Sequence, residues 1–132
     1  MFAKNLIKKA LKNKKDSVVF ALFGDLGLGK TTLVKECAKF LGLKENISSP
    51  TFVIQKKYKL NGDFKNLIHI DAYRLESEKD ILHLGWDDIL KEKNIIFVEW
   101  AENIKKVLPK DSISVYFLYV DENTREIKVE NV

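Results

Sequence analysis

A three-layer α/β domain built on one mostly parallel, largely buried sheet is what the sequence predicts, and three observations predict it. An apolar run, SVVFALF at residues 17–23, passes through a glycine-spaced turn directly into a helical pattern. Two further apolar runs, LIHID and IIFVE, end in acids at Asp71 and Glu99. The last 21 residues, SISVYFLYV and REIKVENV around DENT, read as an antiparallel terminal hairpin. Strands buried on both faces read as continuous apolar runs, and parallel sheets made of them lie between layers of helices. At 132 residues a single domain, 1–132, is expected, long enough for a core and too short for a second unit.

The elements follow in order. At the amino terminus Phe2, Ala3, Leu6, Ile7, Ala10 and Leu11 recur at helical spacing among lysines, which predicts a short amphipathic helix and not a signal-peptide core. After the strand at 17–23, Leu33, Val34, Cys37, Ala38 and Leu41 repeat at three and four up to Gly42, a helix with its stop signal. TFVIQKKYKL reads as a strand turning at NGD, residues 61–63, into KNLIHIDAYRL. A mostly helical stretch from Glu76 to Leu90 is interrupted at Gly85, NIIFVEW at 94–100 is a buried strand, and Pro109 marks a break.

Composition narrows the function classes. Apolar residues at 45% and charged residues at 32% are ordinary for a globular domain, and no apolar run approaches the roughly 20 residues of a membrane span. Cys37 stands alone, so no disulfide forms within the chain and a reducing cytoplasm is the expected location. The net charge of +4 comes from lysines scattered among 19 acids. That pattern is a solvated surface, whereas a nucleic-acid binder gathers its charge into a patch. Arg74 and Arg125 are the only arginines.

Three of the six glycines fall within residues 24–29, directly before a lysine. Gly24, Asp25, Leu26, Gly27, Leu28, Gly29, Lys30 and Thr31 spell the P-loop pattern G-x-x-x-x-G-K-[ST], and Thr32 follows. Glycines let such a loop turn its N–H groups inward, so that a phosphate chain sits at the positive end of the next helix. Lys30 would reach the β- and γ-phosphates, and the Thr31 hydroxyl would ligate Mg²⁺. The expected fold is thus a P-loop NTPase-like three-layer sandwich, with ATP and Mg²⁺ as ligands.

Magnesium needs further oxygens, and P-loop proteins recruit an acid at the end of a neighbouring apolar strand. Asp71 and Glu99 are the two candidates. Glu99 is assigned to the metal, directly or through water, and Asp71 to the attacking water or the metal's outer sphere; the residues alone allow the exchange of the two. His69 shares a strand face with Asp71 and either orients a carboxylate or is a structural histidine. Arg74 either neutralises developing γ-phosphate charge or makes a surface contact.

Taken together, GDLGLGKTT at 24–32, SPTF at 49–52, HIDAYRL at 69–75, LGWDDIL at 84–90, VEWAE at 98–102, LP at 108–109 and Arg125 resemble, in that order, the TsaE (YjeE) family. These are small bacterial P-loop ATPases of tRNA threonylcarbamoyladenosine formation. The resemblance implies a cytoplasmic ATPase, slow alone, that supports a complex of the TsaD and TsaB proteins as it modifies adenosine 37 of tRNA. It leaves direct tRNA contact open. It also implies Thr31 and Glu99 as metal ligands, residues 24–32 as the phosphate cradle and Asp71 as the acid required for hydrolysis. Lys30, Asp71 and Glu99 form the catalytic set, and Ser49, Thr51, Tyr73, Arg74 and Trp100 are candidates for switch or partner contacts. Leu28 stands where the family usually has alanine, and the residues that contact adenine are not assigned.

Two rivals share the P-loop. A small-molecule or nucleotide kinase needs a lid that brings arginines to the phosphoryl group, and the chain has two arginines and little spare length. A GTPase would read guanine through N-K-x-D, but NKKD at 13–16 precedes the P-loop instead of following it.

Overall fold

The computed structural model describes residues 2–12, 14–24, 29–44 and 55–131, with the backbone alone for Arg125. The order of elements is α1 (Phe2–Leu11), β1 (Val18–Phe23), α2 (Lys30–Phe40), β2 (Gln55–Lys59), β3 (Asn66–Asp71), α3 (Glu78–Leu82), α4 (Trp86–Lys91), β4 (Ile95–Glu99), a 3₁₀ helix (Ala101–Val107), β5 (Ile113–Asp121) and β6 (Thr124–Glu130). The six strands form one sheet in the order β2-β3-β4-β1-β5-β6. The inner four run parallel, and β2 and β6 close the edges antiparallel. The three-layer expectation holds, as does the terminal hairpin.

Alternation along the central strands assigns each side chain to a layer. Val18, Phe20 and Leu22 of β1 join Leu6, Ile7 and Ala10 of α1 and Leu33, Val34, Cys37 and Ala38 of α2 in one core. Val19, Ala21 and Phe23 join Ile81, Trp86, Ile89 and Ile104 in the other. Across β1 and β4 the rings of Phe20 and Phe97 stack with centroids 4.6 Å apart.

Helix α2 ends as its sequence suggests. The Leu43 N–H donates to Ala38 O at 3.0 Å and the Gly42 N–H to Lys39 O at 3.1 Å, the paired bonds that satisfy a helix's last carbonyls. The helical stretch expected from Glu76 to Leu90 with an interruption at Gly85 is present as two short helices, α3 and α4, separated where Gly85 takes φ 80°, a conformation that ends a helix and suits glycine. The 3₁₀ helix at Ala101–Val107 has no counterpart in the sequence reading, while the break at Pro109 is present as a turn in which the Ser112 N–H donates to Pro109 O. The TFVI part of the strand expected before NGD, residues 51–54, lies outside the described residues. Among the described residues no helix is long and apolar enough to cross a membrane.

Candidate functional site

The site lies where β1, β3 and β4 end beneath the first turn of α2. On the α2 side, β3 presents Leu67, then His69, then Asp71, and β4 presents Ile95, Phe97 and Glu99. The parallel register sets Asp71 beside Glu99, with Leu22 of β1 on Glu99's other flank. Both strands therefore begin apolar and finish polar on this one face.

Glu99 is 5% exposed, and its Oε2 accepts two hydrogen bonds. One comes from Thr31 Oγ1 at 2.9 Å and the other from His69 Nε2 at 2.5 Å. Burial by itself would push this carboxyl up, but the bonds from His69 and Thr31, together with the nearby Lys30 charge, outweigh it and hold the group below its ordinary value. Glu99 is thus a carboxylate at neutral pH. His69 is fully buried, and its Nδ1 has no hydrogen-bond partner among the described residues.

Asp71 is half-buried, and burial raises its carboxyl above the ordinary value, with the Glu99 charge adding to the rise. The Tyr73 amide, which donates to Asp71 Oδ1 at 3.0 Å, and the charges of His69 and Lys30 pull the other way without cancelling it. Two neighbouring acids are thereby pushed in opposite directions.

Lys30 opens α2 and is 3% exposed. Its ammonium donates to Gly24 O at 2.7 Å and sits 4.1 Å from the centroid of the Trp100 ring, where the ring's negative face attracts it. Trp100 adopts a left-handed φ of 57° as the chain leaves β4 and leans on Tyr73, ring centroids 4.9 Å apart. Asn103 Nδ2 donates to Ala72 O at 2.8 Å and the Ala72 N–H to Glu99 O at 2.9 Å, tying the exits of β3 and β4 together. Gly24 has φ 135°, and a Cβ there would lie 2.7 Å from Phe117 O. Only glycine fits between β1 and β5 at that point.

Of the residues expected from sequence, Lys30, Thr31, Asp71 and Glu99 converge, and Trp100 joins them by covering Lys30. Gly24 and Gly29 border the loop, and Thr32 is exposed on another side of α2. Tyr73 and Arg74 are exposed at the exit of β3. Asp25, Leu26, Gly27, Leu28, Ser49 and Thr51 lie outside the described residues, as does the Arg125 side chain. Sequence reasoning left the role of His69 open and missed the Gly24 carbonyl as the resting contact of Lys30. The signal for His69 was its alternation with Asp71; a backbone acceptor gives none.

Thr31 Oγ1 and Glu99 Oε2, 2.9 Å apart, have the spacing of adjacent ligands on octahedral Mg²⁺, whose ~2.0–2.1 Å bonds place neighbouring oxygens about 2.9 Å apart. Among the described residues no three of His, Cys, Asp and Glu converge on a common point.

Comparison with known proteins gives a consistent answer. The family profile "Threonylcarbamoyl adenosine biosynthesis protein TsaE" matches residues 2–127. A Rickettsia typhi protein named tRNA threonylcarbamoyladenosine biosynthesis protein TsaE is 40% identical over 131 residues, covering 97% of this chain and 89% of that one. The Bacillus subtilis protein of the same name is 38% identical over 109 residues, covering 83% of this chain and 66% of that protein's length. The crystal structure of Bacillus subtilis YdiB superimposes with a TM-score of 0.71 at 31% identity, covering 96% of this chain and 76% of that one.

Proposed function

The chain belongs to the TsaE family of threonylcarbamoyl adenosine biosynthesis proteins, and from that premise we propose that it binds ATP with Mg²⁺ and hydrolyses it in support of a TsaD–TsaB complex that modifies tRNA in the cytoplasm. The observation that carries this reading is the convergence of Lys30, Thr31 and Glu99 at the start of α2, with the Lys30 ammonium on the Gly24 carbonyl. A buried lysine and a buried carboxylate are costly features that packing does not explain.

The roles follow from the geometry. Lys30 exchanges the Gly24 carbonyl for phosphate oxygens, leaving one hydrogen bond for stronger charge-assisted ones. Thr31 and Glu99 supply the protein's oxygens to the metal, and the bond from His69 keeps Glu99 ionised and fixed. A Mg²⁺ held by Thr31 and Glu99 would supply positive charge against the charge that develops on the phosphate. Asp71, at the adjacent register position, orients the attacking water. Its partial burial makes it a better hydrogen-bond acceptor than a fully solvated aspartate.

Arg74, one of the chain's two arginines, is exposed, and the side chain of the other, Arg125, lies outside the described residues. With so few arginines in a short chain, stabilising the transition-state charge falls in part to the partner proteins. Turnover by the isolated chain should be well below ~10 per second, the median for enzymes, and should rise when TsaD and TsaB are added. The test is phosphate release measured with ATP and Mg²⁺, with and without the two proteins. Unchanged slow turnover in their presence would remove the partner half of the proposal, and no nucleotide binding at millimolar ATP would remove all of it.

A further inference from the structure

Lysines that read as scattered along the chain are gathered by the fold. Helices α1 and α2 pack on the same face of the sheet, with Leu6, Ile7 and Ala10 of one and Leu33, Val34, Cys37 and Ala38 of the other turned inward. At about 100° per residue, the sides turned outward carry Lys4, Lys8 and Lys12 in one row, which Lys12 extends just past the end of α1, and Lys35 and Lys39 in a second. All five are exposed, and none forms an ion pair with a described residue. Across the two helices Glu36 is the one acid.

Helix stability does not account for these rows. Like charges at i and i+4 repel along a helix face. Lys4 also stands in the first turn of α1, where the helix dipole favours an acid, and neither α1 nor α2 has an acid in its first turn. The opposite layer shows the ordinary arrangement. There α4 opens with Asp87 and Asp88 and ends in Lys91, and the 3₁₀ helix holds Glu102 ahead of Lys105 and Lys106. One helical layer is thus cationic on its outer side, and the other mixes both signs.

We propose that the outer face of α1 and α2 docks the phosphate backbone of tRNA. The inference rests on the role in tRNA modification proposed above for the identity of the polyanion, and it addresses the contact that the sequence leaves open. Rows of point charges suit a chain of phosphates. Lysine lacks the planar fork with which arginine reads a guanine edge, and no arginine stands in either helix, so the face positions RNA without reading its bases. A lipid surface fits less well, because a helix that lies in a membrane interface inserts its apolar side, and that side of α1 is buried against the sheet.

The experiment measures binding of the full chain to a labelled, unmodified tRNA transcript by fluorescence anisotropy, between about 50 and about 200 mM salt. Five lysines on phosphates give an expected slope of log affinity against log salt of about −4. Lys8→Ala combined with Lys12→Ala, and Lys35→Ala combined with Lys39→Ala, should each reduce that slope by about two and weaken binding. Lys105→Ala combined with Lys106→Ala removes the same charge from the opposite layer and should change neither slope nor affinity. All six positions are exposed, and unchanged thermal midpoints certify that the variants fold. Equal losses in all three pairs would reduce the effect to net charge and overturn the proposal, as would undetectable tRNA binding at the lowest salt. Helix pairs that bind tRNA like the wild type but lose the rise in turnover with TsaD and TsaB would assign the face to a protein and overturn it too. MgATP titrations keep the nucleotide reading separate: the helix pairs should bind MgATP normally, and Lys30→Ala should lose MgATP and keep tRNA. If Lys30→Ala keeps MgATP, the loop assignment fails while the cationic face is still judged by its own lysines.

Discussion

Strands β3 and β4 show two faces, and the same depth of sheet is filled in opposite ways. Toward α3, α4 and the 3₁₀ helix they present Ile68 and Ile70, followed past the end of β3 by Ala72, and Ile96 and Val98, all buried and all apolar. Toward α2 they begin with Leu67, Ile95 and Phe97 and then turn polar at His69, Asp71 and Glu99. The apolar face demonstrates what the fold requires at these positions. Whatever departs from it on the α2 face is therefore carried for another reason, because each buried charge costs stability that a methyl group would not.

The comparison breaks most visibly at Lys30. Lys30→Ala removes a buried charge that serves only the polar face, so MgATP affinity should fall about a hundredfold or more, the scale of losing a buried charge-pairing partner. Thermal midpoints measured with and without MgATP should then coincide, whereas the wild type should gain stability from its ligand.

The two acids should part company next. Glu99→Ala removes the proposed metal ligand and the acceptor of both Thr31 and His69, so ATP binding should lose its dependence on magnesium. Asp71→Ala removes a group whose contact with water matters in the transition state, so turnover should drop about a hundredfold or more with ATP affinity nearly intact. The reverse pair of phenotypes would exchange their roles.

On the apolar face the expectation is inverted. Ile68→Ala should lower unfolding free energy by about 2–5 kcal/mol, read as a shifted urea midpoint at constant slope, with MgATP affinity unchanged where the variant remains folded. A loss of nucleotide affinity larger than the loss of stability would mean that the two faces are not separable.

The two tryptophans differ in their contacts. Trp86 is 1% exposed, with Nε1 donating to Val107 O at 3.1 Å, and Trp100 lies over the Lys30 ammonium. When Lys30 moves to phosphate, the cation–π contact, about 0.5–2 kcal/mol, is exchanged. Trp100 emission should change with added MgATP, the change should persist in Trp86→Phe, and it should vanish in Trp100→Phe.

Much of this division was legible in the sequence. The runs at 17–23 and 94–100, the P-loop and the acids ending two apolar strands come from local pattern, so the layers and the convergence of Lys30, Thr31, Asp71 and Glu99 could be read directly. The break at Gly85 was legible too, as an interruption in a helical pattern. Two features could not be read. The 3₁₀ helix after β4 follows from the left-handed turn at Trp100, which tertiary contacts with Lys30 and Tyr73 hold in place. The resting contact of Lys30 is a backbone carbonyl, which every residue carries and no residue type announces.

The smallest expected effect concerns Cys37, which sharpens the comparison because it sits on the α2 face away from the polar cluster. Cys37 is fully buried among Leu33, Val34 and Ala38, and burial, with a lesser push from the Glu36 charge, raises its thiol to about 12. A thiol reacts through its thiolate, so at pH 8 the native protein should give no reaction with a thiol-specific disulfide reagent, while the urea-unfolded chain should react with one equivalent. The sign of the linkage follows. The folded-state value exceeds that of the unfolded chain, so the neutral thiol's contribution to stability is complete below the unfolded value near ~8.5 and is lost as pH rises toward 12. Cys37→Ser should remove that alkaline loss while leaving MgATP binding at neutral pH unchanged. Rapid modification of the folded protein at pH 8 would mean that the α2 face opens to solvent beyond the cluster, and that its apolar half is less like the opposite face than their shared packing indicates.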